Sequence, residues 1–397
     1  MQAINILGPL LVFPYLIRVL GSDVYGKLIY SQALVAYMLL LVSFGFELSG
    51  AKSASINRDD VMKLSEIFSS VFVIKILIIL IIYILINPIF YFLQVSTELR
   101  WIIICYSWMF FSDLLFPKWY FQGIEKMKYI TVITLVSRLL FIVSIFLYVK
   151  STEDYLLVPV LGGLSAFVSG AISMYIILIK HKLKFYIPGM RVIKQYVIDS
   201  AQVFTSTIAA NIYKGSNRLI IGQAFGMSEV AYYDLADKII LLAKMPQNIF
   251  SQSVFPMVSA ERRRPFVLKM AGVLLLMNLV ISLILFIFST QISSITGGPD
   301  MLNASAVIRI LGIGLIATAL STAFGVQGLL GFGHNNLFTK SLIYGVLCYV
   351  LIVLILYKTN LMSVISISYA TIITEYIAGF IMLKSWLMIG EIENKIV

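Results

Sequence analysis

The chain has 397 residues, 60% of them hydrophobic and only 12% charged, and a formal net charge of +11. A water-soluble exterior needs far more charge than this, so a globular soluble protein of this size is excluded. The mean hydropathy of +0.96 suits a chain solvated mostly by lipid, and the basic balance comes without the patches interleaved with exposed aromatics that nucleic-acid binding needs, so no nucleic acid is expected as a partner.

Cys105 and Cys348 each fall inside an apolar run, which argues against a disulfide framework. With His181 and His334 they show no metal-site spacing, and no cofactor is expected. The opening stretch MQAINILGPLLVFPYLIRVLG lacks a basic n-region and a small-residue cleavage site. It reads as a helix that is kept, not as a signal peptide.

In chain order, hydropathy predicts twelve membrane spans near 2–20, 28–50, 66–92, 101–121, 129–149, 156–179, 196–222, 231–258, 270–289, 303–330, 341–357 and 362–387. Their uncharged runs match the roughly 17–25 residues that cross a hydrocarbon core of about 30 Å. The fold class is therefore an all-α polytopic membrane protein, and the loops are too short to hold an extramembrane domain. Twelve spans divide into a six-helix bundle over 1–180, a basic linker at 181–195 and a second six-helix bundle over 196–397, arranged around a central cavity. A faint repeat supports the division: LGSDVYGKLIY at 20–30 and FGMSEVAYYDL at 225–235 both run Gly, then Ser-acid-Val and an aromatic. Six spans per half make such repeats parallel, as in transporters whose lobes rock about a central cavity.

Lysine and arginine in alternate loops are unequal, eighteen on one side against five on the other. The basic side, which includes Lys126, Lys128, Lys180 and Arg262, is expected to be cytoplasmic, with both termini on it. The chain's charge also favours contact with anionic membrane lipids. Seven basic residues remain inside the spans, namely Lys75, Arg138, Lys214, Arg218, Lys238, Lys244 and Arg309, together with the acids Glu47, Asp113, Asp199, Asp234, Asp237 and Glu375. Ionisable groups at membrane depth are costly and face a protein interior or a wet cavity.

The seventh span carries Lys214 and Arg218 on one helical face within NIYKGSNRLIIG. Two central cations cost about 5–7 kcal/mol on insertion scales. The nine strongly apolar residues of that span return roughly 3–5 kcal/mol. The helix does not balance against lipid, so it is expected to face protein or water, with snorkelling of Arg218 to the headgroups as the alternative. Lys238 has Asp234 at i, i−4, whereas Lys244, Arg138 and Arg309 have no acid at helical spacing. Lys75 is expected near a cytoplasmic end in a structural role. Glu375, in the middle of SYATIITEYIAGF, is the leading candidate to take up a proton or Na⁺, with Asp237 and Asp113 as further candidates. Asp113, like Glu47 and Asp199, could equally be a cap or interface residue. Pro9, Pro14, Pro246, Pro256 and Gly215 interrupt the first, eighth and seventh spans. Ala166 and Gly170 have small-xxx-small spacing, which serves either association or packing within the chain.

GPLLVFPYLIRVLGSDVYG at 8–26, DLLFPKWYFQGIEKMKYITVITLVSRLLFI at 113–142 and NRLIIGQAFGMSEVAYYDLADKI at 217–239 resemble the polysaccharide repeat-unit flippases of bacteria (the Wzx type). These belong to the multidrug/oligosaccharidyl-lipid/polysaccharide exporter superfamily. The marks include Pro14, Arg18, Gly21, Gly26, Trp119, Gln122, Gly123, Glu125, Asn217, Arg218 and Gly226. The resemblance implies a V-shaped fold of two six-helix bundles in the bacterial inner membrane. It implies movement of an undecaprenyl-diphosphate-linked oligosaccharide to the periplasmic leaflet by alternating access, coupled to H⁺ or Na⁺. It brings a polysaccharide polymerase and a chain-length regulator into view as protein partners. It also implies a start upstream of Met1, because family members carry basic residues ahead of that point. On this reading Arg138, Lys214, Lys238, Lys244 and Arg309, with Arg218, line a wet cavity and bind the diphosphate. Tyr213, Tyr232 and Tyr233 then stack on sugar faces.

The alternatives are a multidrug cation exporter of the same superfamily, which would line its cavity with acids, and a membrane-embedded O-antigen polymerase or ligase. The latter would need a long periplasmic loop bearing Arg or His, and the 222–230 and 290–302 loops have neither. A peptidoglycan-precursor flippase would have two further spans. A transporter, not an enzyme, is expected.

Overall fold

The computed structural model describes residues 2–396, apart from the side chains of 2–10, 202, 206–214 and 390–396. The described chain is helical throughout, with no strand among the described residues. Nine helical segments there are long and apolar enough to cross a membrane. The twelve expected spans map onto the helices. α1 (Gln2–Ser43) holds the first span and, with α2 (Phe46–Ile56), the second. α3 (Val61–Phe92) is the third, and α4 (Thr97–Tyr106), α5 (Trp108–Leu115) and α6 (Lys118–Gly123) form the fourth in three pieces. α7 (Met127–Tyr148) is the fifth, and α8 (Leu157–Met174) with the π-helical turn Tyr175–Lys180 is the sixth. α9 (Met190–Phe225), α10 (Met227–Ala243) with α11 (Met245–Glu261), and α12 (Arg264–Gly297) follow. α13 (Ala304–Leu320) with the π-helical segment Ser321–Leu330, α14 (Asn335–Lys358) and α15 (Val364–Ile396) complete the set.

The two glycines aligned by the sequence repeat adopt one conformation. Gly21 has φ 77° and ψ 166°, and Gly226 has φ 99° and ψ 172°. A side chain at either position would meet open space, so the requirement is conformational. This region of backbone space is essentially reserved for glycine, and each glycine ends one span and starts the next.

The chain forms two compact units, 1–220 and 221–397. In the first, Phe46, Phe68, Trp119, Phe121 and Ile133 share one core. The WYFQG segment is a packing device. The indole of Trp119 covers Gly50, and a Cβ on Gly123 would lie 2.5 Å from Ala54 Cβ and 2.7 Å from the Ala51 carbonyl. Residues 181–189 lie along α3, where Ser65 Oγ accepts from the Lys184 amide at 3.0 Å and Ser69 Oγ from the Tyr186 amide at 3.2 Å. Gly170, of the small-residue pair, backs onto Leu115 inside the same unit.

His181 closes this end. Its Nε2 is 3.3 Å from Lys126 Nζ, and its Nδ1 is 2.9 Å from Tyr120 Oη. An ammonium only donates, so Nε2 accepts, Nδ1–H faces the phenol, and the imidazole is neutral. Burial, then the charges of Lys126 and Lys180, hold its pKa below the ordinary 6.5.

The second unit packs Val267, Met270, Leu274, Ala319, Ala323, Met382 and Trp386 into one core. Glycines in the π-helical segment admit large neighbours, with Gly325 under Met382 and Gly328 under Trp386. Arg264 stacks 4.2 Å from the Trp386 ring centre and donates to its carbonyl at 2.7 Å.

Two outcomes are expected. Gly123→Val should destabilise the protein by about 1–3 kcal/mol, because α6 and α2 must separate, which thermal unfolding in detergent measures. His181 stays neutral in the native state while the unfolded chain takes up a proton near pH 6.5. Its contribution is therefore full above that pH and falls away as pH drops through it. Melting curves between pH 7.5 and 5 should show a steeper loss for the parent than for His181→Gln.

Candidate functional site

In the first unit, Lys75 Nζ is 2.5 Å from Asp113 Oδ2 and 3.3 Å from the Asp113 carbonyl. Ser43 donates to the same carboxylate at 3.5 Å. Lys75 is 2% exposed. It stands fourteen residues into α3, about 21 Å from the helix start. The sequence reading placed Lys75 near a cytoplasmic end. The structure puts it close to mid-helix, where its partner is the Asp113 carboxylate offered as an ion-coupling candidate. Both groups are committed to each other.

Arg138 occupies the middle of α7, half-buried, on a helix of which little is covered by its own unit. Arg218, on α9, is also half-buried and lies near Tyr37 of α1, whose hydroxyl engages Gly215 and Ser216. Lys214 and Tyr213 lie outside the described residues.

In the second unit, Lys238 Nζ is 2.6 Å from the buried Asp234 Oδ2, the i, i+4 pair expected from the sequence. Asp237 is half-buried on the same helix. Lys244 is the single residue between α10 and α11, with seventeen helical residues on either side. Its position there follows from Pro246, which has no amide hydrogen to continue the α10 ladder and fits the first turn of α11. Lys244 is half-buried, and its ammonium forms no hydrogen bond or ion pair among the described residues. It is thus a mid-span cation at a helix break with no carboxylate on it. Arg309 is exposed near the start of α13, and its guanidinium donates to Ser289 Oγ at 2.6 Å and Thr290 Oγ1 at 3.0 Å. Glu375 is half-buried, eleven residues into α15. Its neighbour Thr374 faces Gly345 of α14 and Ile372 faces Gly314 of α13, so Glu375 stands at the edge between those contacts. Its carboxylate makes no hydrogen bond or ion pair among the described residues. Tyr232 and Tyr233 are 9% and 4% exposed. They are core residues, and the expected sugar platform is not formed by them.

The profile of the polysaccharide biosynthesis protein family matches residues 1–261. The chain belongs to this family. A protein of Escherichia coli (strain K12) that carries the name of an O-antigen transporter is 28% identical over 388 residues, covering 96% of this chain and 93% of that one. Among solved structures, an inward-facing multidrug resistance transporter of the MATE family, in the MOP superfamily, superposes with a TM-score of 0.74 at 15% identity, over 98% of this chain and 96% of that one. The lipid II flippase MurJ, in an inward closed conformation, superposes with a TM-score of 0.72 at 17% identity, over 97% and 86%. This member of the polysaccharide biosynthesis family therefore shares the fold of these two solved structures.

Sequence reasoning missed a buried polar seam in the second unit. Gln247 of α11 donates to the Thr318 carbonyl and to Thr322 Oγ1, at 3.3 and 2.7 Å. Gln327 of the π-helical segment donates back to Ser251, at 2.8 Å to its carbonyl and 2.7 Å to its hydroxyl. Neutral amides carry no charge signal in a hydropathy count, so only their position inside predicted spans could have flagged them.

Removing one partner of the Lys75–Asp113 pair leaves an uncompensated buried charge. Lys75→Met should cost about 3–5 kcal/mol. The double variant Lys75→Met with Asp113→Leu should regain most of that, as read by unfolding in detergent.

Proposed function

We propose that this chain is a flippase that carries undecaprenyl-diphosphate-linked O-antigen or polysaccharide repeat units from the cytoplasmic to the periplasmic leaflet of the bacterial inner membrane. It works by alternating access, with both termini cytoplasmic. The observation that carries this reading is Lys244, an ammonium at the centre of a broken span with no carboxylate partner among the described residues. An unpaired cation at that depth costs about 2.5–3.5 kcal/mol against lipid, so it is retained to face water and an anion. A diphosphate is such an anion, and charge-assisted hydrogen bonds to an ammonium are among the stronger ones. The 28% identical relative named for O-antigen transport supports the cargo class.

Arg138, at mid-depth on α7, is the matching cation of the first unit, while Lys238 and Arg309 are held by Asp234 and by two hydroxyls and act more weakly. Glu375 supplies the coupling site. A carboxylate with no fixed partner at mid-depth can bind H⁺ or Na⁺ differently in two conformations, and only such a difference biases the equilibrium between them.

The test is surface polymer display in a strain deleted for its own flippase. The parent should restore polymer, Lys244→Ala should reduce it at least about tenfold at equal membrane level, and Lys244→Arg should keep most of it. Full activity of Lys244→Ala would remove the anion-binding mechanism. Export of cationic dyes that depends on Glu375 and is indifferent to Lys244 would favour the multidrug reading.

A further inference from the structure

At one end of the first unit, Lys126, Lys128 and Lys180 converge on a single exposed site. Lys180 Nζ lies 5.4 Å from the centre of the Tyr129 ring and bonds its hydroxyl. Lys126 and Lys128 are both close enough to act on the same phenol through space. Lys126 is the residue from which α7 starts, and no carboxylate lies in the first turn of that helix. None of the three lysines forms an ion pair among the described residues. The nearby Glu125 is taken by Arg58 at 3.1 Å. The other groups at the site are the Tyr120 phenol and His181, and His181 is neutral because its Nε2 accepts from Lys126. Three like charges therefore act on one phenol, with no ion-pair partner for any of them among the described residues.

The surface beside the lysines is apolar. Tyr175 and Ile179 are 60% and 63% exposed, and both belong to the π-helical turn that ends at Lys180. Tyr175 is near enough to Lys180 to interact with its charge. Met127, between two of the lysines, is also exposed. Tyr175 and Ile179 lie in the last turn of the sixth span, so this surface falls at the boundary between acyl chains and headgroups, where tyrosine is enriched.

We propose that Lys126, Lys128 and Lys180 form a binding site for the phosphate of an anionic phospholipid, with the acyl chains lying along Tyr175 and Ile179. The site recognises a phosphodiester carrying one negative charge and a pair of apolar chains. Ammonium groups bind the phosphate oxygens as point charges, and the Tyr129 hydroxyl adds a donor. The lipid relieves the repulsion among the three lysines and fixes the end of the π-helical turn against α7. The lipid at this site is not the cargo, and the proposal does not depend on which cargo the protein carries.

The test uses the full chain purified in detergent. Native mass spectrometry counts retained lipid after incubation with phosphatidylglycerol or with phosphatidylethanolamine. Parent protein should retain phosphatidylglycerol preferentially. The triple variant Lys126→Gln, Lys128→Gln, Lys180→Gln should lose at least about tenfold of that preference, since each basic group near a membrane surface contributes roughly fivefold. A control with Arg262→Gln, Arg263→Gln and Lys269→Gln in the second unit should keep it. Tyr175→Ser with Ile179→Ser should weaken phosphatidylglycerol binding while leaving the lysines in place. Equal retention by the triple variant and the parent overturns the proposal, as does an equal loss in the control set. Saturation of the parent by millimolar inorganic phosphate that displaces the lipid, with no effect of Tyr175→Ser and Ile179→Ser, overturns the lipid assignment in favour of a soluble anion.

Discussion

Hydrocarbon offers no water to an ion or to an open peptide group, and that constraint arranges the rest of this molecule. Backbone groups must pair within a segment, which leaves helices as the described structure. Side-chain charges must find a counter-ion, reach an interface or face a wet space. Lys75 takes Asp113 and is almost wholly buried. Lys238 takes Asp234, itself buried, across one helical turn. Arg309 is held by two hydroxyls of α12 near the start of α13. Lys244 has none of these partners among the described residues. Cations in pairs serve the fold, and Lys244 is the one to which the proposed function assigns a ligand.

The breaks in the helices give these charges their surroundings. Gly21 and Gly226 turn the chain between consecutive spans in a conformation closed to other residues. Pro246 interrupts the eighth span one turn past Leu242, and Lys244 stands at the gap. Below the gap, Gln247 and Ser251 tie α11 to the π-helical segment through Thr322 and Gln327. Each glutamine nitrogen donates to a backbone carbonyl, which fixes the amide and leaves its oxygen buried without a partner. Unpaired buried acceptors cost about 1–3 kcal/mol each. The seam is thus a set of directional contacts between neutral groups next to the break.

The fold was largely legible in the sequence because hydropathy and length are the same physics that holds the helices. The twelve runs each correspond to a helix or a run of short helices, and the Ser-acid-Val repeat marks two glycines with one backbone conformation. The Lys238–Asp234 pair followed from spacing alone. Depth and partnership between distant segments did not. Lys75 and Asp113 are thirty-eight residues apart, and nothing local links them. The resemblance offers Tyr232 and Tyr233 as rings that stack on sugar faces, but tertiary packing buries them. The WYFQG segment, the most recognisable run of the chain, identifies the family through close packing of Trp119 on Gly50 and Gly123 on Ala54, so its recognisability says little about cargo.

The sign of the charges bears on how the proposed cargo leaves. A diphosphate diester carries two negative charges, and an inside-negative membrane favours their outward movement by roughly 4.6 kcal/mol per 100 mV. A cation fixed in the protein leaves that work unchanged over a full cycle, because the protein returns to its starting state, but it does affect how the cargo is held. Tight binding at Lys244 would also slow release, because the side that receives the cargo has few lysines and arginines to attract it. Slow release favours one open cation, Lys244, over a ring of them. That is the arrangement produced when Asp113 and Asp234 occupy Lys75 and Lys238, since the acids lower the positive potential of the path without removing the residues that fix its shape. Protonation of Glu375 would act in the opposite sense, raising the local potential and strengthening anion binding in whichever state it favours. Under the proposed coupling at Glu375, the carboxylate would weaken the hold on the cargo and the neutral acid would restore it.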